Sequence, residues 1–249
     1  MERWSGRVAL VTGASAGIGA SVARRLVAEG MRVVGAARRV ERVQALADEL
    51  KGQPGTLIPI KCDITKDDQV VSMFARIKRE LGGVDVCVNN AGLAVFKDLL
   101  EGSPEEWRRM LDLNVVALCL CTREAVASMR ERGVDDGHVI HLNSITGHYI
   151  PELPGFHFYC GTKQMVTTLT EALRLELRRA NSKIRISSIS PGRVETEFVV
   201  NTYGMSQDAA QQFYQERPRM QADDITDSLI HVLAAPPHVQ IHDVLIWPL

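Results

Sequence analysis

Short β-branched runs alternate with longer helical patterns along the whole chain, and no other feature constrains its fold as strongly. Residues 7–11, 32–36, 56–60, 84–88, 138–142, 184–189 and 239–245 read as strands. Between them, residues 18–29, 40–50, 67–81, 104–132, 159–180 and 223–233 carry apolar residues at three- and four-residue spacing, the period of a helix with one buried face. Strand then helix, repeated, predicts an α/β fold with a parallel sheet covered on both faces. No Ser/Pro/Gly-rich linker, low-complexity tract or repeat divides the 249 residues, so a single domain is expected. Residues 194–220 depart from the pattern, their apolar positions interrupted by Asn201, Gly204 and Ser206, and such a segment after a strand is where a substrate lid would sit.

Charge and composition narrow the function. Lys plus Arg number 29 against 30 Asp plus Glu, so no broad basic field is available to hold nucleic acid. The longest apolar runs, 8–11 and 115–121, fall far short of a bilayer span. The opening Met1-Glu2-Arg3-Trp4-Ser5-Gly6 lacks the apolar stretch of a signal peptide, and the expectation is a soluble cytoplasmic protein. Cys62, Cys87, Cys119, Cys121 and Cys160 are odd in number and lack the paired spacing of a zinc site, which predicts reduced packing residues. The seven histidines contain no HExxH or comparable ligand set, so no metal is expected.

The first strand runs into Val11-Thr12-Gly13-Ala14-Ser15-Ala16-Gly17-Ile18-Gly19. Gly13 ends the strand, while Gly17 and Gly19 stand at the mouth of the next helix. A pyrophosphate could there approach backbone N–H groups and the positive end of the helix dipole. A tight strand-to-helix turn would call for the same glycines, and the spacing is not that of the commonest dinucleotide fingerprint.

Other residues decide between these readings. Thr12-Gly13-Ala14-Ser15-Ala16-Gly17-Ile18-Gly19, Asn89-Asn90-Ala91-Gly92, the pair Tyr159 and Lys163 four residues apart, and Ser190-Pro191-Gly192 occur in that order. Together they resemble the short-chain dehydrogenase/reductase family, over essentially the whole chain. The segments MERW, GTLIP, CTREA and DDGHVI further resemble the group of dehydrogenase/reductase member eleven and the insect farnesol dehydrogenases. The resemblance implies a single-domain Rossmann-like fold with seven parallel strands. It also implies a nicotinamide dinucleotide whose pyrophosphate lies on Gly13, Ser15, Gly17, Ile18 and Gly19. Asp63 and Ile64 match the pair at the adenine ring, and Asn90 matches an Asn supporting the backbone beside the cofactor. Pro191 and Gly192 would pass the nicotinamide, with Val194 and Thr196 on its carboxamide and the phosphates. For Asp63, a turn or helix cap is the local alternative.

The choice of dinucleotide follows from charge. Chains selecting NAD carry an Asp or Glu about 20 residues beyond the glycines. Here the second strand ends in Arg38 and Arg39 with no carboxylate, so two guanidiniums are available for a 2′-phosphate, which predicts NADP(H).

The chemistry centres on Tyr159. Residues four apart share a helix face, so Lys163 stands beside it, and a neighbouring ammonium is expected to draw the phenol pKa down from near 10. Tyr159 would then serve as general acid in reduction and base in oxidation. By resemblance, Lys163 also holds the nicotinamide ribose, Ser144 bonds the substrate oxygen, and Asn114 supports a water-linked proton path by opening its helix. Fifteen residues separate Ser144 from Tyr159, about two more than in many members; either residues 149–155 loop outward or Asn143 or Thr146 replaces Ser144. Cys160 and His157 are read as packing residues facing away from Tyr159.

Leu93, Ala94, Val95, Phe96, Ile150, Leu153, Phe198, Val199, Tyr203 and Met205 suggest an apolar pocket. The resemblance points to a lipophilic ketone, aldehyde or alcohol such as a steroid, prenyl alcohol or xenobiotic carbonyl. Arg193 keeps small hydroxy acids open as the alternative substrate. A reading from another class is a non-catalytic dinucleotide-binding regulator. The apolar stretch 113–127 is hard to bury in one subunit, so a homodimer or homotetramer is expected.

Overall fold

The computed structural model describes residues 1–249, except the side chains of Asn201, Tyr203 and Gln207. Seven strands form one parallel sheet: β1 (Val8–Thr12), β2 (Arg32–Ala37), β3 (Thr56–Lys61), β4 (Val86–Asn89), β5 (His138–Leu142), β6 (Arg185–Pro191) and β7 (Asp243–Ile246). Their order is β3-β2-β1-β4-β5-β6-β7. The direction of winding reverses between β1 and β4, and the crevice beyond the strand ends at such a point is where ligands bind in doubly wound sheets.

All five residues of β1 are buried, and they divide between the two faces. Ala9 and Val11 join one core with Val22 and Leu26 of α1 (Gly17–Ala28) and Val43 of α2 (Val40–Glu49). Val8 and Leu10 join the other, with Met73 and Ile77 of α3 (Asp67–Leu81). A strand buried on both sides has no polar face, which is why 8–11 reads as a continuous apolar run.

The stretch predicted as one helix over 104–132 is three pieces. α4 (Pro104–Leu111) starts in a capping box, in which Ser103 accepts from the Glu106 N–H and Glu106 accepts from the Ser103 N–H. A π-helical turn follows at Asp112–Val116, then α5 (Ala117–Glu131). Periodicity carries no sign of this break, which the family resemblance implied at Asn114: from within the π turn its side chain accepts from the Leu93 N–H at 2.9 Å and donates to the Leu93 carbonyl at 2.8 Å. After α6 (His157–Arg179), the predicted lid contains α7 (Phe198–Tyr203) and α8 (Gln207–Gln215), before α9 (Ala222–Ala234). The lid's two roots are joined by a parallel bridge between Val194 and Met220. The last strand is shorter than predicted, 243–246 rather than 239–245. No helix is long and apolar enough to cross a membrane among the described residues.

Candidate active site

A cleft of about 1290 Å³ opens at the carboxyl ends of the strands. One wall is the turn from β1 into α1, where Gly13, Ser15, Gly17 and Ile18 are exposed to it. Helix α1 is preceded by Ala16, which offers no side-chain cap, and has no acid in its first turn. Its first N–H groups and positive dipole end are thereby left for an anion, the requirement of a pyrophosphate.

The glycines answer to different demands. Gly13 adopts φ +70°, and a Cβ there would stand 2.9 Å from Asn90 Nδ2. Gly17 adopts φ +54° and faces Thr196, across the cleft mouth. Gly19 does not reach the cleft: it is buried, and a Cβ would strike the Gly13 carbonyl oxygen and Asn90 Nδ2. Its missing side chain lets α1 lie directly on the end of β1. Asn90 fastens that junction, donating from Nδ2 to the Thr12 carbonyl at 2.8 Å, while the N–H groups of Asn90 and Ala91 donate to Thr12 Oγ1 at 3.0 and 3.1 Å.

At the β2 end of the cleft Arg38 is exposed and Arg39 half-buried. Arg39 is already engaged, its Nη1 donating to Glu197 Oε2 at 3.0 Å, so the two predicted guanidiniums are not equivalent. Asp63 lines the cleft with Ile64. Its Oδ1 accepts from the N–H and hydroxyl of Thr65 at 3.1 and 2.8 Å, the local turn named as the alternative reading. Burial opposes ionisation of Asp63, yet the Thr65 bonds and the Arg38 and Lys66 charges hold its carboxyl below the ordinary value.

The other end of the cleft gathers Ser144, Tyr159 and Lys163. Ser144 follows β5 in extended conformation, and Tyr159 and Lys163 stand one turn apart on α6, all three buried. Ser144 hydrogen-bonds the Tyr159 hydroxyl, so Ser144 is not displaced by the longer connection. The extra residues bulge outward instead, leaving Ile150 61% and Leu153 43% exposed. Asn143 is turned to Thr167 and Thr146 donates to Ser144 Oγ at 2.9 Å, so neither takes its place.

The expected acidification of Tyr159 by Lys163 is corrected. Lys163 Nζ lies 5.8 Å from the ring centroid and donates to the Leu142 carbonyl at 2.8 Å. Burial raises the phenol pKa well above its ordinary value, opposed by the Ser144 bond alone. The same burial lowers Lys163 to about 8. In the protein by itself the tyrosine is therefore a proton holder. Cys160 is buried and hydrogen-bonded to Thr146, and burial pushes its thiol up, in keeping with packing.

Asn114 lies behind the wall rather than on it. Besides Leu93 it bonds Thr162 Oγ1 at 3.1 Å, and Thr162 donates to the Tyr159 carbonyl at 2.7 Å. The π turn thus braces the first turn of α6, where Tyr159 is mounted. Deeper still, His141 sits between Thr170 Oγ1 at 2.9 Å and Thr122 Oγ1 at 3.0 Å, and burial with the Lys163 charge lowers it to about 3.

Pro191, Gly192, Val194 and Thr196 form the third side, after β6. Of the residues expected in an apolar pocket, Leu93, Ala94, Phe96, Leu153, Phe198 and Val199 line the cleft. Val95, Ile150 and Met205 do not, and the side chain of Tyr203 lies outside the described residues. Phe156 was missed by sequence reasoning; its ring is 4.7 Å from that of Tyr159, and Phe198 of the lid is 5.9 Å from it on another side. An aromatic preceding a predicted helix gave a weak signal for this role. Arg193 lines the cleft but is committed to the lid, donating to the Pro218 carbonyl at 3.0 Å and lying 5.6 Å from the Phe213 ring. Arg109 of α4 also lines it, and among the described residues no carboxylate is paired with it.

Comparison with known proteins gives this geometry its relatives. The pattern of the family described as short chain dehydrogenase matches residues 7–207. Dehydrogenase/reductase SDR family member 11 of Gallus gallus is 52% identical, covering 100% of this chain and 98% of its own. Farnesol dehydrogenase of Aedes aegypti is 42% identical with the same coverage of both, 100% and 98%. Among solved structures, the closed form of serine dehydrogenase complexed with NADP+ superposes with TM-score 0.86 at 32% identity, over 96% of this chain and 93% of that one.

Proposed function

The chain belongs to the short chain dehydrogenase family, an oxidoreductase by that membership, and we propose that it uses NADP(H) to reduce the ketone or aldehyde of a lipophilic substrate, or to oxidise the matching alcohol. The observation that carries this reading is the meeting of Ser144, Tyr159 and Lys163 at the buried, aromatic end of one cleft whose far end presents Arg38.

The residues fit a phosphorylated dinucleotide: the uncapped first turn of α1 for the pyrophosphate, Arg38 for the 2′-phosphate, Asp63 and Ile64 for the adenine, and Lys163 for the nicotinamide ribose. Pro191, Gly192, Val194 and Thr196 hold the nicotinamide side, and Asn90 keeps the wall rigid. The chemistry supplied by the bound dinucleotide is a hydride for the carbonyl carbon and, after transfer, a positive charge on the ring. Ser144 Oγ and the Tyr159 hydroxyl orient the carbonyl oxygen, and Tyr159, which burial keeps protonated, donates the proton in reduction. Asn114 holds Tyr159 in register through Thr162. Phe156 and Phe198 exclude water around the transfer.

The apolar lining favours a lipophilic substrate; farnesol dehydrogenase among the relatives points the same way. A hydroxy acid is the second reading, favoured by Arg109, which pairs with no carboxylate among the described residues, and by the serine dehydrogenase relatives, one of them 34% identical from Agrobacterium fabrum. The regulator reading has no support from a site with its acid and bonding groups intact. Val116, Met165 and Leu175, each 44–53% exposed on α5, α6 or the turn before them, favour a homodimer or homotetramer. Cytoplasmic residence remains part of this proposal.

The test is Tyr159→Phe, assayed by nicotinamide oxidation with a panel of steroid ketones, prenyl aldehydes, dicarbonyls and 3-keto acids. The ring keeps its packing, so nucleotide affinity stays within about twofold while turnover falls by about 10²–10⁴. Retention of wild-type turnover with every active substrate removes Tyr159 from the reaction.

A further inference from the structure

A single carboxylate ties the two long walls of the cleft together. Glu197, the residue before α7, places Oε2 3.0 Å from Arg39 Nη1 and Oε1 2.6 Å from Arg42 Nη1. Both arginines stand where β2 passes into α2, on the wall opposite the lid. Thr196, next to Glu197, meets the α1 turn at Gly17, so the carboxylate reaches over from the phosphate end of the cleft to the adenosine end. The two guanidiniums hold the Glu197 carboxyl below its ordinary range against its partial burial.

Resting on the NADP(H) reading above, we propose that Glu197 is an internal competitor for the dinucleotide 2′-phosphate and so sets how strongly the chain prefers the phosphorylated form. Arg38 and Arg39 are the adjacent cations at the β2 end, and Arg38 alone has no direct carboxylate bond among the described residues. Arg39 reaches the phosphate only by sharing its fork with Glu197, because a guanidinium gives one anion its best bidentate bond. A phosphate dianion beside a carboxylate on a shared cation is opposed by like-charge repulsion. The other charges facing that point are Arg42, which retains Glu197 from the far side, and Asp63, whose carboxylate is bonded to Thr65 and interacts with the Arg38 charge. The side chains are 39–45% exposed, so solvent screening limits the effect to a few-fold. Nothing in this competition touches an adenosine without a 2′-phosphate.

The experiment compares adenosine 2′,5′-bisphosphate with adenosine 5′-monophosphate, each titrated calorimetrically into the full chain and into Glu197→Gln at low ionic strength. The variant should bind the bisphosphate about three- to tenfold more tightly and the monophosphate within about twofold, with the gain shrinking as salt rises. A wild type that prefers the bisphosphate while the variant gains nothing, or a variant that weakens or tightens both nucleotides alike, overturns the competition and leaves the NADP(H) reading standing. A wild type and variant that both bind the two nucleotides equally overturn the NADP(H) reading itself.

Discussion

Gly19→Ala separates two explanations of the glycine motif, one resting on ligand and the other on packing. A Cβ on Gly19 would stand 2.5 Å from Asn90 Nδ2 and closer still to the Gly13 carbonyl oxygen. Neither atom can withdraw freely, since the oxygen belongs to the backbone at the end of β1 and Nδ2 is bonded to the Thr12 carbonyl at 2.8 Å. Overpacking of this kind costs about 1–3 kcal/mol. Displacing the Asn90 bond adds about 1 kcal/mol, and the better helix propensity of Ala returns about 1 kcal/mol. The net is a loss of about 2 kcal/mol, which in a domain of this size lowers the melting midpoint by about 4–8 °C.

The assay is thermal unfolding by circular dichroism of the protein without nucleotide, with Gly17→Ala measured beside it. Gly17 meets only the Thr196 side chain, which can turn, so its variant loses about 1–2 kcal/mol through its left-handed backbone and suffers mainly in nucleotide affinity. If Gly19→Ala melts at the wild-type midpoint and loses nucleotide binding alone, the packing explanation is wrong and the glycine serves the ligand directly.

Other consequences can be measured on the same protein. Arg38→Asp should raise the Michaelis constant for NADPH by about tenfold or more and leave that for NADH within about twofold, because it removes a charge-assisted bond and adds repulsion at the 2′-phosphate; an unchanged ratio refutes the assignment. His141, held near 3 when folded against 6.5 when unfolded, contributes stability that is complete above pH 6.5 and lost as the pH falls toward 3. Between pH 7 and pH 5 that loss is about 2 kcal/mol, read by urea unfolding. His141→Gln should flatten the slope by that amount, and an unaltered slope would show that another group carries it. Asn114→Ala should lower turnover by about tenfold or more without weakening nucleotide binding, since it acts by releasing α6 rather than by touching the cofactor; a loss confined to nucleotide affinity contradicts that role.

The strands of the central sheet were legible because burial on both faces leaves 7–11, 32–36 and 138–142 mainly apolar, with Arg7, Arg32, His138 and His141 as the exceptions, a signal carried within each strand. Tyr159 and Lys163 were legible for the same local reason, being four residues apart on one helix. What escaped was set by partners from other elements. The direction of Lys163 depends on the carbonyl of Leu142, and the state of Arg39 on a carboxylate 158 residues away. Arg193 reads from the sequence as available to a substrate, whereas the fold sets Phe213 and the Pro218 carbonyl beside it. In each case the residue type was read correctly and its commitment was not, because a charge is spent wherever the fold brings it an opposite or polar neighbour. A site assembled from several strand ends can expose its chemical groups to sequence reasoning while concealing which of them are still free to act, and in this cleft Arg39 is engaged by Glu197 while Arg38 has no direct carboxylate bond among the described residues.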